Sequence, residues 1–290
     1  MNHTADKRSR YPVHGAGLGL RRSFMDALAG APPPDVEFME VAPENWIRMG
    51  GGYGRKFRAL TERVPFVCHG LSLSIGGPEP LDEALLRELK VFLDTHDIRA
   101  YTEHLSYCSD DGHLYDLMPI PFTEEAVTHV AQRVRQVQDI LERPMALENV
   151  SYYAAHGQEM SEIDFVTAVL EEADCGLHLD INNIYVNSIN HGYNAAEFLK
   201  GLPGERIVYA HMAGHYVEAE DLRVDTHGAD VIDPVWDLLE QAYDHFGVFP
   251  TLLERDFNIP PLPELLGEVR QIASLQAKWT KHHERKQALA

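Results

Sequence analysis

The chain alternates short apolar, β-rich runs with longer segments of helical periodicity, and it does so eight times. The predicted strands are Val13–Leu20, Val36–Val41, Pro65–His69, Arg99–His104, Pro144–Glu148, Cys175–Asp180, Arg206–His211 and Phe249–Glu254. The predicted helices lie near Arg22–Ala29, Arg55–Arg63, Leu81–His96, Glu124–Glu142, Ser161–Ala173, Ala195–Lys200, Pro234–Phe246 and Pro263–Lys278. Near-continuous apolar strands that alternate with helices are typical of a parallel sheet covered by helices. Eight such units in 290 residues favour a closed, single-domain (β/α)8 TIM barrel of the α/β class over an open sheet.

The first predicted strand and the last predicted helix set the expected domain boundaries. Residues 1–12 are predicted to be a flexible N-terminus, residues 13–278 the barrel, and residues 279–290 a polar C-terminal tail. The N-terminus lacks the apolar region of a secretory signal, and no stretch approaches the roughly 20 apolar residues that span a bilayer. Cys68, Cys108 and Cys175 are far apart and odd in number, which favours a reducing compartment over a disulfide framework. We therefore expect a cytoplasmic protein with no membrane partner.

The net charge is strongly negative. The chain has 25 Lys+Arg against 45 Asp+Glu, for a formal charge of -20. Such a surface repels phosphate backbones, so we expect no nucleic-acid partner. Part of this acidity can instead be buried as metal ligands.

Side chains that bind metals stand at the carboxyl ends of six successive predicted strands, the third to the eighth. With Asn183, three residues beyond the sixth strand, and two residues of the loop after the seventh strand, the set is His69, His104, Glu148, Asp180, Asn183, His211, Asp225, His227 and Glu254. The carboxyl ends of barrel strands meet at one mouth, where barrel enzymes place their chemistry. Carboxylates crowded there repel one another unless cations separate them. Imidazole with carboxylate suits zinc, iron or manganese, so the sequence predicts a site for several such ions.

Each of these residues also has a structural interpretation. A single strand-end histidine is more often hydrogen-bonded to its neighbours, and a single Asp or Glu more often caps a helix or pairs in a loop. Asn183 is a modest ligand and Asn is also a common turn residue. Five further residues are predicted to orient the ligands or to line a substrate channel, with ordinary packing or loop bracing as the alternative: His178, His215, Asn149, Glu40 and Asn45.

The order of the strand-end residues resembles the trinuclear site of the endonuclease IV and xylose isomerase-like barrel superfamily. The resemblance implies three ligand sets, the first two bridged by one carboxylate: His69, His104 and Glu148; Glu148, Asp180, His211 and Glu254; and Asn183, Asp225 and His227. The DNA-repair members place a histidine where this chain has Asn183. That departure argues against a repair activity and weakens the third set.

A set of longer stretches resembles the DUF692 family of multinuclear non-haem iron enzymes, which includes the methanobactin-biosynthesis oxygenase. The stretches are GAGLGLR (15–21), EVAPENW (40–46), VCHGLSLSIGG (67–77), TEHLSY (102–107), LENVSYY (147–153), DINNIYVN (180–187), HMAGH (211–215), DTHG (225–228) and LLERD (252–256). The resemblance implies an Fe(II)/Fe(III) cluster of two or three ions, replaceable by zinc or manganese in purified protein, with O2 as co-substrate. It also implies that the substrate is a cysteine-containing, ribosomally made precursor peptide and that a small partner protein recognises its leader. We therefore expect an iron-dependent oxidoreductase that modifies peptides in natural product biosynthesis.

Three other functions stay open on the sequence. The first is a metal-dependent phosphodiesterase like endonuclease IV, against which the negative charge argues. The second is a sugar isomerase or epimerase, for which no separate lysine stands at a strand end. The third is a non-catalytic metal-binding or peptide-binding protein, which metal content without turnover of a cysteine-rich peptide would support.

Overall fold

The computed structural model describes residues 10–28, 32–110 and 112–289, without the side chains of His113 and Tyr115. Within these ranges the strands are β1 (Ala16–Gly19), β2 (Phe38–Val41), β3 (Phe66–His69), β4 (Tyr101–His104), β5 (Tyr107–Ser109), β6 (His113–Met118), β7 (Ala146–Glu148), β8 (Gly176–Asp180), β9 (Ile207–Met212), β10 (Tyr216–Ala219), β11 (Leu222–Val224) and β12 (Thr251–Leu253). The α-helices are α1 (Gly51–Thr61), α2 (Glu83–Thr95), α3 (Glu124–Leu141), α4 (Glu162–Ala173), α5 (Ile181–His191), α6 (Ala195–Gly201), α7 (Asp233–Phe246) and α8 (Leu262–Leu289).

Eight of these strands form a closed parallel barrel in the order β1-β12-β9-β8-β7-β4-β3-β2. Each barrel strand corresponds to one predicted apolar run, so the predicted TIM barrel is confirmed. The remaining strands pair as two small antiparallel sheets, β5 with β6 and β10 with β11. These hairpins follow β4 and β9 at the carboxyl ends of the barrel strands, and the sequence pattern did not predict them.

The barrel strands have two faces because successive side chains of a strand point in opposite directions. The outward face packs against the helices in one large apolar cluster. A smaller apolar cluster fills the barrel interior and consists of Val13, Phe38, Val67, Tyr209 and Leu252. Two residues beyond four of its members, on the same strand face, stand the polar residues Glu40, His69, His211 and Glu254. The interior is therefore apolar at its base and polar at the mouth.

The helical layer follows the sequence signals in most places. Thr123 caps α3 by accepting a hydrogen bond from the Ala126 amide at 3.2 Å, and Glu124 and Glu125 supply the predicted acidic first turn. Carboxylates there complement the positive end of the helix dipole. Asp180 caps α5 in the same way by accepting from the Asn183 amide at 2.6 Å. This cap therefore ties the end of β8 to the first turn of α5.

Two predicted segments differ from the structure. The helix expected near Arg22–Ala29 is wrong: Arg22–Phe24 forms a 3-10 turn, and residues 25–28 form no α-helix. Prolines 32–34 follow closely, and proline can neither donate a backbone hydrogen bond nor continue a helix. Helix α5 was not predicted, because its buried asparagines obscure the apolar periodicity.

The chain ends bear on the predicted boundaries. Residues 1–9, part of the predicted N-terminal segment, lie outside the described residues, as does residue 290. Residues 279–289, predicted as a polar tail, continue α8 as one helix of 28 residues. No helix in the described part of the chain is long and apolar enough to cross a membrane.

The packing of α1 gives a stability prediction. The Phe57 ring lies 4.6 Å from Trp46 and 5.7 Å from Phe92, stacked against both, and it is 2% exposed. We expect Phe57→Ala to lower the free energy of unfolding by about 3–5 kcal/mol, because it removes buried surface and leaves a cavity. The matched control is Tyr53→Ala on the exposed side of α1, which should cost less than about 1 kcal/mol. Chemical denaturation followed by circular dichroism measures both, and equal losses would contradict this account of the packing.

Candidate metal centre

The register of the parallel strands brings the strand-end side chains together. His104 in β4 is the Cα partner of Glu148 in β7, and Glu148 is the partner of His178 in β8. Asp180 in β8 is likewise the partner of His211 in β9. Partners in neighbouring parallel strands point to the same face of the sheet. Residues distant in sequence therefore meet at the barrel mouth.

Glu148 occupies the middle of this group. Its Oε2 lies 3.4 Å from His69 Nε2 and 3.5 Å from His104 Nε2, and the two histidine nitrogens are 3.0 Å apart. Two donor atoms that share one ion at about 2.1 Å lie roughly 3.4 Å apart in tetrahedral geometry. The triangle of Glu148, His69 and His104 therefore has the size of a site for one metal ion.

The other oxygen of Glu148 faces a second group. Its Oε1 lies 3.2 Å from His211 Nδ1, and that nitrogen lies 2.9 Å from Glu254 Oε2 and 3.8 Å from Asp180 Oδ2. Asp180 is fully buried, and its Oδ2 has no hydrogen-bond partner. A buried, unpaired carboxylate oxygen is costly unless a cation stands beside it. Glu148, Asp180 and His211 can therefore hold an ion together.

The third predicted set lies beside the second. Asp225 Oδ1 is 2.7 Å from His227 Nε2, and His227 Nδ1 is 3.3 Å from Glu254 Oε2. Asn183 turns its Nδ2 toward the Asn149 carbonyl at 3.1 Å, and its Oδ1 is buried without a partner. Asn183, Asp225 and His227 line the same cavity. Within the described residues, all nine predicted ligands thus lie at the mouth of the barrel.

A close backbone approach holds the loop that carries Asp225 and His227. A Cβ added to Gly214 would lie 2.1 Å from the Ala229 carbonyl oxygen, so a side chain at this position would push the loop away. His227 has φ +48°, in the left-handed region that non-glycine residues rarely adopt. The backbone there is held in a strained conformation that directs the imidazole toward the barrel mouth.

Two of the predicted orienting residues form hydrogen bonds around the group. Asn149 Nδ2 donates to the Asp180 carbonyl and its Oδ1 accepts from the Asp180 amide, both at 2.9 Å. His215 Nδ1 is 2.8 Å from Asn182 Oδ1, and Asn182 Nδ2 donates to Asp225 Oδ1 at 2.9 Å. Asn149 thus fixes the end of β8, whereas His215 reaches the group only through Asn182.

The other predicted orienting residues lie at different depths. Glu40 is buried beneath the group, with both carboxylate oxygens 3.0 Å from His211 Nε2. His178 is fully buried beside His211, and neither of its ring nitrogens has a hydrogen-bond partner. Asn45 lines a cavity at the rim, whereas Glu44 braces a loop by accepting from the Leu71 and Ser72 amides.

Arg21 and Asp256 belong to the same group, and the sequence reasoning missed both. Arg21 lies 3.4 Å from Glu254 and forms a close ion pair with Asp256. Asp256 Oδ2 is also 3.1 Å from His227 Nδ1. The signal was present for Asp256, which stands two residues beyond Glu254 in the LLERD stretch. Arg21 offsets part of the negative charge where the loops after β1 and β12 meet.

The electrostatics of the group follow from burial and from the central carboxylate. Burial alone lowers the pKa of His69, but the Glu148 carboxylate more than offsets this and raises it to about 9. Burial and the nearby His69 lower the pKa of His104 to about 4. Burial and Glu148 hold the pKa of Asp180 well above its usual value. Without metal ions, the group therefore stays close to neutral by binding protons where cations would otherwise stand.

Two cavities open onto this group, and different strand ends and loops line each of them. One, of about 470 Å³, is lined by residues that follow β1, β2, β3 and β12, among them Arg22, Trp46 and His69. The other, of about 580 Å³, is lined by the loops after β4, β7 and β9, with Tyr153 and Phe257 at its rim. Tyr153 is 50% exposed and Phe257 64% exposed, so two aromatic side chains present apolar surface at the second opening.

Residues 15–277 match the family model described as "RiPP precursor modification enzyme MbnB/TglH/ChrH", where RiPP denotes a ribosomally synthesised and post-translationally modified peptide. The chain belongs to this family. The resemblance to DUF692 is thereby confirmed, and the family membership identifies an enzyme with a barrel mouth whose clustered histidines and carboxylates can bind metal ions.

Similar proteins agree with this assignment. A UPF0276 protein of Shewanella loihica is 66% identical over 262 residues, which cover 90% of this chain and 94% of the relative. Among solved structures, 3-keto-D-glucoside 4-epimerase YcjR of E. coli has a TM-score of 0.60 and 13% identity, covering 90% of this chain and 98% of that chain. Endonuclease IV of Thermus thermophilus has a TM-score of 0.54 and 13% identity, covering 93% of this chain and 100% of that chain. At such low identity the two structures support the xylose isomerase-like barrel fold alone.

The protonation of the group predicts a pH-dependent affinity for metal ions. His69, with its pKa at about 9, is protonated at pH 7 in the metal-free protein, and an ion must displace that proton to bind. The apparent affinity for Zn(II) should therefore rise with pH, by up to about tenfold per unit for each displaced proton, until about pH 9. Competition with a chelating dye between pH 6 and 9 measures this slope.

A matched pair of variants tests whether this pH dependence comes from the candidate metal centre or from other histidines. His69→Gln should flatten this slope. His96→Gln, whose ring packs against Phe57 and not against the candidate metal centre, should leave the slope unchanged. Zn(II) affinity that does not vary between pH 6 and 8 in the unmodified protein would contradict the charge distribution described here.

Proposed function

We propose that this protein is a multinuclear non-haem iron enzyme, with two or three ions, that uses O2 to modify cysteine residues of a ribosomally made precursor peptide. The observation that carries the proposal is the two-sided contact of Glu148, whose Oε2 faces His69 and His104 while its Oε1 faces His211. A carboxylate with imidazoles on both oxygens is suited to bridge two ions. The family description supports a peptide precursor as the substrate.

The proposed ligands follow the three groups of side chains. His69 Nε2, His104 Nε2 and Glu148 Oε2 would hold the first ion, and the side chains of Glu148, Asp180, His211 and Glu254 would hold the second. Asn183, Asp225 and His227 would hold a third. The unpaired Asp180 Oδ2 and Asn183 Oδ1 support this assignment, because both are buried oxygens that a cation would satisfy.

The proposed reaction, rather than the donor set, selects iron among the metals that the group accepts. Imidazole and carboxylate bind iron, zinc and manganese, and within the described residues no thiolate joins the group. Bound iron would react with O2 and transfer single electrons, two kinds of chemistry that amino-acid side chains lack. The protein would supply the rest: ligands of fixed orientation, a buried floor that excludes water beneath the ions, and open cavities above.

The cavities suit an extended peptide. The rim residues Tyr153 and Phe257 offer apolar contacts for residues that flank the substrate cysteine. Arg22 lies at the other cavity, where its guanidinium stands over the Trp46 ring at 5.4 Å and can contact a peptide carbonyl or carboxylate. The net charge of -20 suits a basic leader segment or a small partner protein that presents one. Such a partner, by ordering the leader, would lower the entropy cost of binding the substrate.

The alternative functions share the fold but fit the mouth less well. A phosphodiesterase for DNA needs cationic surface, and among the described residues that line the two cavities the Lys and Arg side chains are only Arg21 and Arg22. A sugar epimerase needs an enclosed pocket for a polyol, whereas this mouth has two open cavities that share Asp256 in their lining. A non-catalytic metal-binding protein needs no open rim above the ions.

Metal analysis tests the proposed centre. Protein purified without oxygen and reconstituted with Fe(II) should hold two or three iron ions per chain, and Mössbauer spectroscopy should detect coupled sites. Glu148→Gln should lose most of this iron, because it removes the charge between the two ligand groups. Glu103→Gln is the matched control, since Glu103 is equally buried but bonds to Tyr101 rather than to the group. Full iron content in Glu148→Gln would contradict the bridging role.

Turnover tests the proposed reaction. The substrate to try is a cysteine-containing peptide encoded beside the gene, presented with any small protein encoded with it. We expect iron-loaded protein to change the peptide mass only when O2 is present, because O2 is the proposed oxidant. Modification without O2 would contradict the oxygenase. Cleavage of abasic-site DNA, or epimerisation of a ketose, by the zinc-loaded or manganese-loaded protein would favour the alternatives.

A further inference from the structure

A chain of hydrogen bonds runs beneath the candidate metal centre and joins two of its histidines. His69 Nδ1 lies 2.7 Å from Thr102 Oγ1, which lies 3.1 Å from the Tyr209 hydroxyl. The Tyr209 hydroxyl lies 2.5 Å from Glu40 Oε2, and both Glu40 oxygens lie 3.0 Å from His211 Nε2. The chain therefore begins at one proposed ligand and ends at another, on strands that are not neighbours in the barrel.

The Glu40 carboxylate sets the direction of every hydrogen bond in this chain. Tyr209 donates its one hydroxyl hydrogen to Glu40 Oε2, which accepts it. The Tyr209 oxygen then accepts from Thr102, and the Thr102 oxygen accepts from His69 Nδ1. On the other side, His211 must donate from Nε2. No step allows a second arrangement while both Glu40 oxygens accept.

The consequence concerns the ring atoms that face the ions. With one hydrogen held on Nδ1, His69 can give up its second proton to an ion at Nε2, the atom 3.4 Å from Glu148 Oε2. With one hydrogen held on Nε2, His211 can give up its second proton to an ion at Nδ1, the atom 3.2 Å from Glu148 Oε1. The two histidines thus use different ring nitrogens, and one carboxylate beneath the centre fixes both choices.

Burial makes this arrangement hard to replace. Thr102, Tyr209 and His211 are fully buried, and Glu40 is 3% exposed. A broken bond at this depth leaves an unpaired polar group that bulk water cannot reach, which makes buried networks directional and specific. Metal-bound histidines commonly donate their other ring hydrogen to a carboxylate or hydroxyl, and loss of that acceptor weakens metal binding.

We propose that Glu40 is a positioning residue that sets the ring orientation of His69 and His211 together, acting on His69 through Tyr209 and Thr102. Glu40 does so as a hydrogen-bond acceptor rather than as a metal ligand: Glu40, His178 and His211 are close enough to hold an ion, but the Tyr209 hydroxyl and His211 Nε2 already bond to the oxygens of Glu40. The inference rests on the proposed metal centre and adds a coupling between its first and second ligand groups.

Nitrogen-15 NMR of histidine-labelled protein loaded with Zn(II) tests the proposal without any catalytic assay. In the unmodified protein we expect the ring hydrogen of His69 on Nδ1 and that of His211 on Nε2. Glu40→Gln should disturb the signals of both rings and lower Zn(II) affinity by about 10–100-fold. Tyr209→Phe keeps the ring that stacks on His178 but interrupts the chain, so it should disturb His69 and spare His211.

Glu103→Gln and Tyr101→Phe are the matched controls, because Tyr101 donates to Glu103 in a pair of the same type and depth that does not join the chain. Both should keep the ring signals and Zn(II) affinity of the unmodified protein. Unchanged signals and affinity in folded Glu40→Gln and Tyr209→Phe would overturn the inference and leave the metal centre intact. X-ray absorption or a crystal structure with a Glu40 oxygen bonded to zinc would overturn it as well. Failure of the unmodified protein to bind Zn(II) or Fe(II) would overturn the metal centre and this inference together.

Discussion

The structure depends on the interaction of one buried carboxylate, Glu148, with imidazoles on both of its oxygens. At 2% exposure this group cannot be hydrated, and burial alone would protonate it. The neighbouring histidines instead hold its pKa well below the usual value. The barrel mouth therefore needs positive charge beside both oxygens of the Glu148 carboxylate. In the proposed enzyme that charge belongs to metal ions, and in their absence to protons on His69 and His211.

The period-two alternation of the barrel strands makes this interaction possible. The same inward face carries Phe38 before Glu40, Val67 before His69 and Leu252 before Glu254. The apolar residues close the barrel from below, so the polar residues two positions later meet in a low-dielectric setting with no water beneath them. Electrostatic interactions there are stronger than on the surface. On one strand, therefore, an apolar residue packs in the barrel interior and a polar residue two positions later belongs to the candidate metal centre.

Much of this arrangement could be predicted from the sequence, because strand ends in a barrel share one mouth whatever their separation along the chain. That rule alone placed His69, Glu148 and Glu254 together. Contacts that depend on the lateral register of distant strands could not be predicted in this way. The Tyr209–Glu40 hydrogen bond joins β9 to β2, and the Arg21–Asp256 pair joins the loops after β1 and β12. The prolines at 32–34 limit the length open to a helix after Arg21, and the segment forms only a 3-10 turn at Arg22–Phe24.

The three proposed ligand groups differ in how rigidly the fold holds them, and this bears on how many ions the protein retains. The first two groups come almost entirely from strand ends, whose backbones are fixed by neighbours on both sides. The third takes Asn183 from the first turn of α5 and Asp225 with His227 from a loop. Asn183 adds no negative charge, and His227 also contacts Asp256, which Arg21 engages. A third ion would thus gain less Coulomb attraction and would meet ligands that must reorganise to bind it. Iron should leave this group first on dilution or chelation, with the pair bridged by Glu148 remaining.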